Sequence, residues 1–148
     1  MVTPGGYYPP VGFHFKVEFV GIGNDNDIRF QSVSGLSIEY DTESFKEGGE
    51  NRFEHKLPVR TKYADLSLKR GMLTDSKVIE WCVDALVNRE FKPAQINVSL
   101  LNESHEPIKR WEVIDAWPKK WSVSDLNAQE NGVVIETLDL AYKYFDVK

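Results

Sequence analysis

A chain of 148 residues with 18 Lys and Arg against 23 Asp and Glu is long enough for one domain that buries roughly two thirds of its unfolded surface without staples. Its lone cysteine, Cys82, excludes an internal disulfide framework and a cysteine-based zinc site and fits a reducing compartment, so cytoplasmic synthesis is the expectation. The net charge of −5 argues against general nucleic-acid binding, which needs a basic face, and suits a basic protein partner.

Residues 1–10 form a Tyr/Pro-rich arm that lacks the basic start and apolar core of a signal peptide, and residues 11–148 are expected to form one domain. No apolar run is long enough to cross a bilayer, so no membrane insertion is expected. The triplets Asn97-Val98-Ser99 and Asn102-Glu103-Ser104 would matter only in a secretory pathway and are read as chance.

Period-two alternation dominates the chain. Phe13, Phe15, Val17 and Phe19 alternate with His14, Lys16 and Glu18, which predicts a half-buried strand. Turn residues from Gly21 to Asp27 then predict a hairpin into Ile28-Arg29-Phe30. Leu36, Ile38 and Tyr40 continue the alternation. After a polar excursion come Phe53, His55 and Leu57, closed by Pro58, then Leu66 and Leu68 before Lys69-Arg70-Gly71.

The excursion, residues 41–52, is charged and carries Gly48-Gly49. Long polar connections in compact domains are either solvated tips or functional contacts, and both readings stand at this level. Within residues 74–88 the period changes: Val78, Trp81, Cys82, Ala85 and Leu86 recur at helical spacing, with Lys77, Glu80 and Asp84 opposite, predicting one amphipathic helix capped by Thr74 or Asp75. Cys82 is then a buried small hydrophobe.

Strands resume after Pro93. Ile96, Val98 and Leu100 alternate, residues 102–107 turn, and Ile108 to Ile114 return with Trp111 and Val113 on one side. A less regular stretch from Ala116 to Gly132 precedes the apolar-rich run Val133 to Phe145, which requires cover on both faces or a bulge. The fold class is α+β: a mostly antiparallel barrel or curled sheet with one flanking helix.

Chemistry-bearing patterns are absent: no His-Glu-x-x-His, nucleophile elbow or phosphate loop occurs, and His14, His55 and His105 are isolated along the chain. No catalytic residue, metal or cofactor is implied. Trp111, Trp117 and Trp121 interleave with Lys109, Arg110, Lys119 and Lys120, but such aromatics more often fill a core or seam than stack on bases, so no sequence-specific nucleic-acid binding is expected.

Several motifs together resemble the tail-tube proteins of contractile phages and related bacterial injection systems, a fold similar to the type VI secretion tube protein. These are Ser32-Val33-Ser34-Gly35-Leu36, Glu47-Gly48-Gly49-Glu50-Asn51, Lys56-Leu57-Pro58 with Lys62-Tyr63, and Leu68-Lys69-Arg70-Gly71. Ala116-Trp117-Pro118, Asp125-Leu126-Asn127-Ala128 and Val134 to Ala141 follow in the family's order, so the likeness covers about residues 11–146. Val59, where the family often has glycine, and the amino-terminal arm depart from it.

The resemblance implies hexameric rings stacked into a hollow tube inside a contractile sheath, with baseplate, hub and tube-terminator proteins as further partners and a payload in the lumen. Residues 41–52 become an inter-ring loop: Glu43, Phe45, Lys46, Glu47, Gly48, Gly49, Glu50 and Asn51 at the contact, with Arg52, Lys56, Arg60 and Lys62 as counter-charges. Glu80 and Asp84 are candidates to face the sheath. The alternatives are a tube initiator or terminator at the baseplate and a monomeric ligand-binding barrel.

Overall fold

The computed structural model describes residues 14–23, 29–45, 48–49, 54–129 and 132–148. Among them the elements run β1 (His14–Phe19), β2 (Ser32–Ser34), β3 (Ile38–Phe45), β4 (His55–Tyr63), β5 (Leu66–Gly71), α1 (Lys77–Leu86), β6 (Ala94–Leu101), β7 (Pro107–Val123), β8 (Ile135–Ala141) and β9 (Tyr144–Val147). Every pairing is antiparallel, as the alternation predicts.

The main sheet is ordered β1-β6-β7-β8-β5-β2, with β9 added to β7. Because β1 and β2 end this order unpaired to each other, the sheet is curled and open rather than a closed barrel. The curl comes from β7, whose first half pairs with β6 and β9 and whose second half pairs with β8. Asp115 at φ 53° and a register shift between Pro118 and Lys120 bend it between the two.

The concave side holds the core. Val17 and Phe19 from β1, Leu66 and Leu68 from β5, Ile96 and Val98 from β6, Val113 from β7 and Leu138 and Leu140 from β8 close over Val78, Trp81 and Cys82 of α1. Gly35 fixes the crossing before β3. At φ +94° a side chain there would be strained, and a Cβ would lie 1.9 Å from the Asp65 carbonyl oxygen.

Several expectations are corrected. The helix is shorter than residues 74–88, because Ser76 rather than Thr74 or Asp75 caps it: its Oγ accepts from the Ile79 N–H at 3.2 Å. Leu86 leaves the core stripe and is 37% exposed, while Ala85 stays buried in it. β1 pairs with β6; of the hairpin expected after it, residues 24–28 lie outside the described residues, and Phe30 turns inward against Phe19, ring centroids 6.2 Å apart. Residues 116–123, expected to be irregular, continue β7, since Pro118 falls at the register shift where no ladder N–H is needed. The run Val133 to Phe145 divides into β8 and β9, which pair with different parts of β7.

Candidate functional site

β3 and β4 form a sheet of their own, hydrogen-bonded to each other and to no third strand among the described residues. The excursion expected at residues 41–52 is therefore strand through Phe45, and Pro58 does not close the return strand, which runs on to Tyr63. Gly48 and Gly49 lie in a turn, Gly49 at φ +85°. Lys46, Glu47, Glu50, Asn51, Arg52 and Phe53 lie outside the described residues, as do the arm at residues 1–10 and Phe13.

The register gives this hairpin two distinct faces. Near its base Ile38 stands opposite Tyr63 and Tyr40 opposite Thr61, while Glu39 faces Lys62 and Asp41 faces Arg60 on the other side. Between Asp41 and Thr42 the register shifts, so that Val59 is the extra residue of a bulge beside Pro58. Past the bulge, Glu43 opposes Leu57 and Phe45 opposes His55, on the side that carries the charges at the base. One inserted residue thus moves the apolar stripe of β4 to the opposite face. Phe45 and His55 stack there with centroids 5.0 Å apart.

Most of this apolar surface is open: Ile38 is 51% exposed, Tyr40 61%, Phe45 47%, Leu57 51% and Val59 52%. At its base the hairpin touches the body of the molecule through Tyr63 against Tyr142 and Phe145 at 5.8 and 5.0 Å. Of the site residues named from sequence, Glu43, Phe45, Gly48, Gly49, Lys56, Arg60 and Lys62 come together on this one hairpin. Arg60 Nε lies 3.8 Å from Asp41 Oδ2 within the hairpin, an exposed pair that contributes little.

Glu80 and Asp84 lie apart, one turn from each other on α1. Lys77 Nζ reaches Glu80 Oε2 at 3.4 Å, and Asn88 Nδ2 donates to Asp84 Oδ1 at 3.3 Å, so their carboxylates are partly answered within the helix. Two of the interleaved cations are likewise engaged: Lys119 Nζ donates to Asp65 Oδ2 at 2.8 Å, which holds that ammonium above its ordinary range, and Arg110 pairs with Glu112.

Sequence reasoning missed a buried ion pair. Arg70 Nε lies 3.3 Å from Glu136 Oε2, and Arg70 Nη2 donates to the Ser76 Oγ that caps α1 at 2.6 Å, with the guanidinium over the Phe30 ring at 4.9 Å. Both charges are almost wholly enclosed. The parity of their strands carries the signal: Leu66, Leu68 and Arg70 share one face of β5, and Glu136, Leu138 and Leu140 share one face of β8. Nearby, burial pushes the Cys82 thiol from 9.0 up to about 12, Arg70 pulling it down and Glu136 raising it. His14 and His105, far apart in sequence, meet ring to ring. Among the described residues no cluster of three or more His, Cys, Asp or Glu is placed to hold a metal, and no helix is long and apolar enough to cross a membrane.

A barrel-like sheet with one helix and a protruding hairpin defines a class of assembling tube subunits, and the comparisons agree. The chain belongs to the T4-like virus tail tube protein gp19 family, whose model matches residues 11–146. It is similar to a chain in the cryo-EM structure of the anti-feeding prophage baseplate (6-fold symmetrised) at 32% identity and TM-score 0.82, covering 100% of this chain and 97% of that one. It has the fold of a chain in the extended sheath-tube complex of the extracellular contractile injection system PVC (24% identity, TM-score 0.78, 96% and 93% covered). A type six secretion system protein shares the fold at 14% identity and TM-score 0.62, with 92% and 83% covered. No curated protein sequence matches the chain. The chain is thus a structural tail tube protein of the contractile-tail and injection-system type.

Proposed function

We propose that six copies of this chain close into a ring, that rings stack into a hollow conduit, and that the β3–β4 hairpin of each copy lies on its neighbours. The hairpin carries this reading. An isolated two-stranded sheet is marginal in water, and a cluster of exposed apolar side chains marks a contact. Hairpins laid edge to edge satisfy each other's open backbone groups and cover Ile38 and Tyr40. A head-to-tail contact of this kind closes into a ring when its rotation permits, and a second one adds rings along the axis.

Residues 41–52 make the axial contact, with Glu43, Phe45, Lys46, Glu47, Gly48, Gly49, Glu50 and Asn51 at its centre and Arg52, Lys56, Arg60 and Lys62 around it. Glu80 and Asp84 present the acidic side of α1 to a contractile sheath protein. The subunit is made and assembled in the cytoplasm, works with baseplate, hub and terminator proteins, and needs no cofactor or catalytic group. Sheath contraction drives the tube out with its payload.

Purified protein in size-exclusion chromatography and negative-stain microscopy should give rings or tubes. A compact monomer at every concentration would overturn this reading in favour of a lone ligand-binding barrel. Deleting residues 45–51 should leave the fold and the ring but stop stacking; tubes of normal length from that variant refute the axial role. A second reading, a tube initiator at the baseplate, draws support from the 32% identity to a chain in the anti-feeding prophage baseplate structure. Copy number in purified particles separates them: many copies for the main tube, one ring for an initiator.

A further inference from the structure

An apolar cleft of about 270 Å³ opens where the chain passes from α1 to β6, walled by Phe91, Pro93 and Trp117. Phe91 and Trp117 meet nearly perpendicular at 5.7 Å and remain 51% and 37% exposed. The loop that carries Phe91 is pinned from behind. Trp81 Nε1 donates to the Lys92 carbonyl at 2.6 Å, the Glu90 N–H donates to the Asp84 carbonyl at 2.9 Å, and Arg89 takes φ 59°. The backbone that carries Phe91 is therefore set before anything binds, which lowers the ordering cost of an occupant.

The sequence offers a matching occupant. Residues 1–13 contain no Asp, Glu, Lys, Arg or His and include Tyr7-Tyr8-Pro9-Pro10. Tyrosines bring apolar area with hydroxyls that stay wet, prolines have little entropy to lose, and aromatic-lined grooves are common receptors for such segments.

Reach decides which copy supplies it. β1 runs antiparallel to β6 with His14 opposite Leu101, so the arm leaves at the far end of β6 from Ala94 and the cleft. Seven strand residues separate those ends, roughly 23 Å. Pro10, four residues before His14, extends at most about 14 Å, and Tyr7 reaches about 25 Å only if fully stretched back along the sheet. Pro10 therefore falls short of the cleft of its own copy, and Tyr7 meets it only with the arm drawn straight, so a second copy is the better-placed acceptor.

We infer that Tyr7 to Pro10 of one copy dock in the Phe91–Pro93–Trp117 cleft of a second copy, a tether between subunits separate from the hairpin. This rests on the reading that copies assemble. The test places the photo-cross-linker p-benzoylphenylalanine at position 8 of the full chain, irradiates assembled particles, and images the same sample. A covalent dimer joined at the peptide holding Phe91–Pro93 or at Trp117 is expected, and Phe91→Ala should cut its yield severalfold. Cross-links within one chain, to another surface, to a sheath protein, or none in a sample full of tubes overturn the inference while leaving the tube reading intact. If neither rings nor tubes form, the tube reading fails, and a fluorescent peptide of residues 1–13 decides the tether. Saturable binding to the full chain, weakened about tenfold by Phe91→Ala, supports it; no saturable binding overturns it.

Discussion

Leu57 and Leu68 are the same side chain on strands of two separate antiparallel sheets, and they meet opposite fates. Leu68 on β5 is fully buried under α1, while Leu57 on β4 stands 51% exposed. The main sheet covers its apolar face with its own helix and curl; the β3–β4 hairpin leaves its apolar residues on both faces uncovered. An extended backbone with alternating residues thus tells that a face wants cover, and the rest of the fold decides whether the cover comes from within.

The comparison breaks hardest at the buried ion pair that ties β5, β8 and the start of α1 together. Arg70→Ala leaves Glu136 charged and enclosed and removes the donor to the Ser76 cap, so it should cost about 3–5 kcal/mol in urea unfolding. Pairing Arg70→Met with Glu136→Leu should recover most of that loss. A single substitution that leaves the midpoint in place would mean that the pair does not hold this region.

Gly35→Ala comes next. The positive φ and the Asp65 carbonyl leave no room for a methyl group, and an expected loss of about 3 kcal/mol should appear as a lower thermal midpoint. A stable Gly35→Ala protein would show that the crossing between the main sheet and the hairpin can shift.

The hairpin should respond in the reverse way. Leu57→Ala or Tyr40→Ala removes little buried area from the free subunit, so unfolding should move within about 0.5 kcal/mol. Assembly should nonetheless fall sharply in sedimentation and negative stain. Loss of stability without loss of assembly would reverse the roles given to the two regions.

How much of this was legible follows the same division. β1, β6 and the α1 stripe could be read because each buries one face within its own chain, so the period survives in Val17 and Phe19, Ile96 and Val98, and Val78, Trp81 and Cys82. β3 reads as a polar excursion from Asp41 onward, since Asp41 and Glu43 occupy strand positions that stay exposed among the described residues. Pro58 looked like a stop because the bulge that accommodates it depends on pairing with Thr42. Arg70 and Glu136 sat in motifs that carried the family resemblance, yet their contact depends on the β5–β8 pairing across 66 residues. The role proposed for the hairpin comes from resemblance, because a contact between copies would leave no periodicity in one chain.

The pH dependence of stability centres on Cys82, which sits in the core beside the ion pair. Its thiol is raised from 9.0 to about 12 by burial, so the folded state resists forming the thiolate that the unfolded chain forms readily. Because the folded value is the higher, its contribution is complete below pH 9.0 and fades as pH climbs from there toward about 12. Tyr142, raised from 10.0 to about 12 mainly by burial, adds a loss of the same sign over the upper part of that window. Urea midpoints should therefore decline across this alkaline range, less steeply in Cys82→Ala than in the parent chain. A thiol reagent supplies the independent check: Cys82 should react slowly in the folded protein and fully once unfolded. Rapid labelling of folded protein, with a midpoint flat in pH, would mean that α1 opens as easily as the exposed hairpin and that the two regions differ less than their burial indicates.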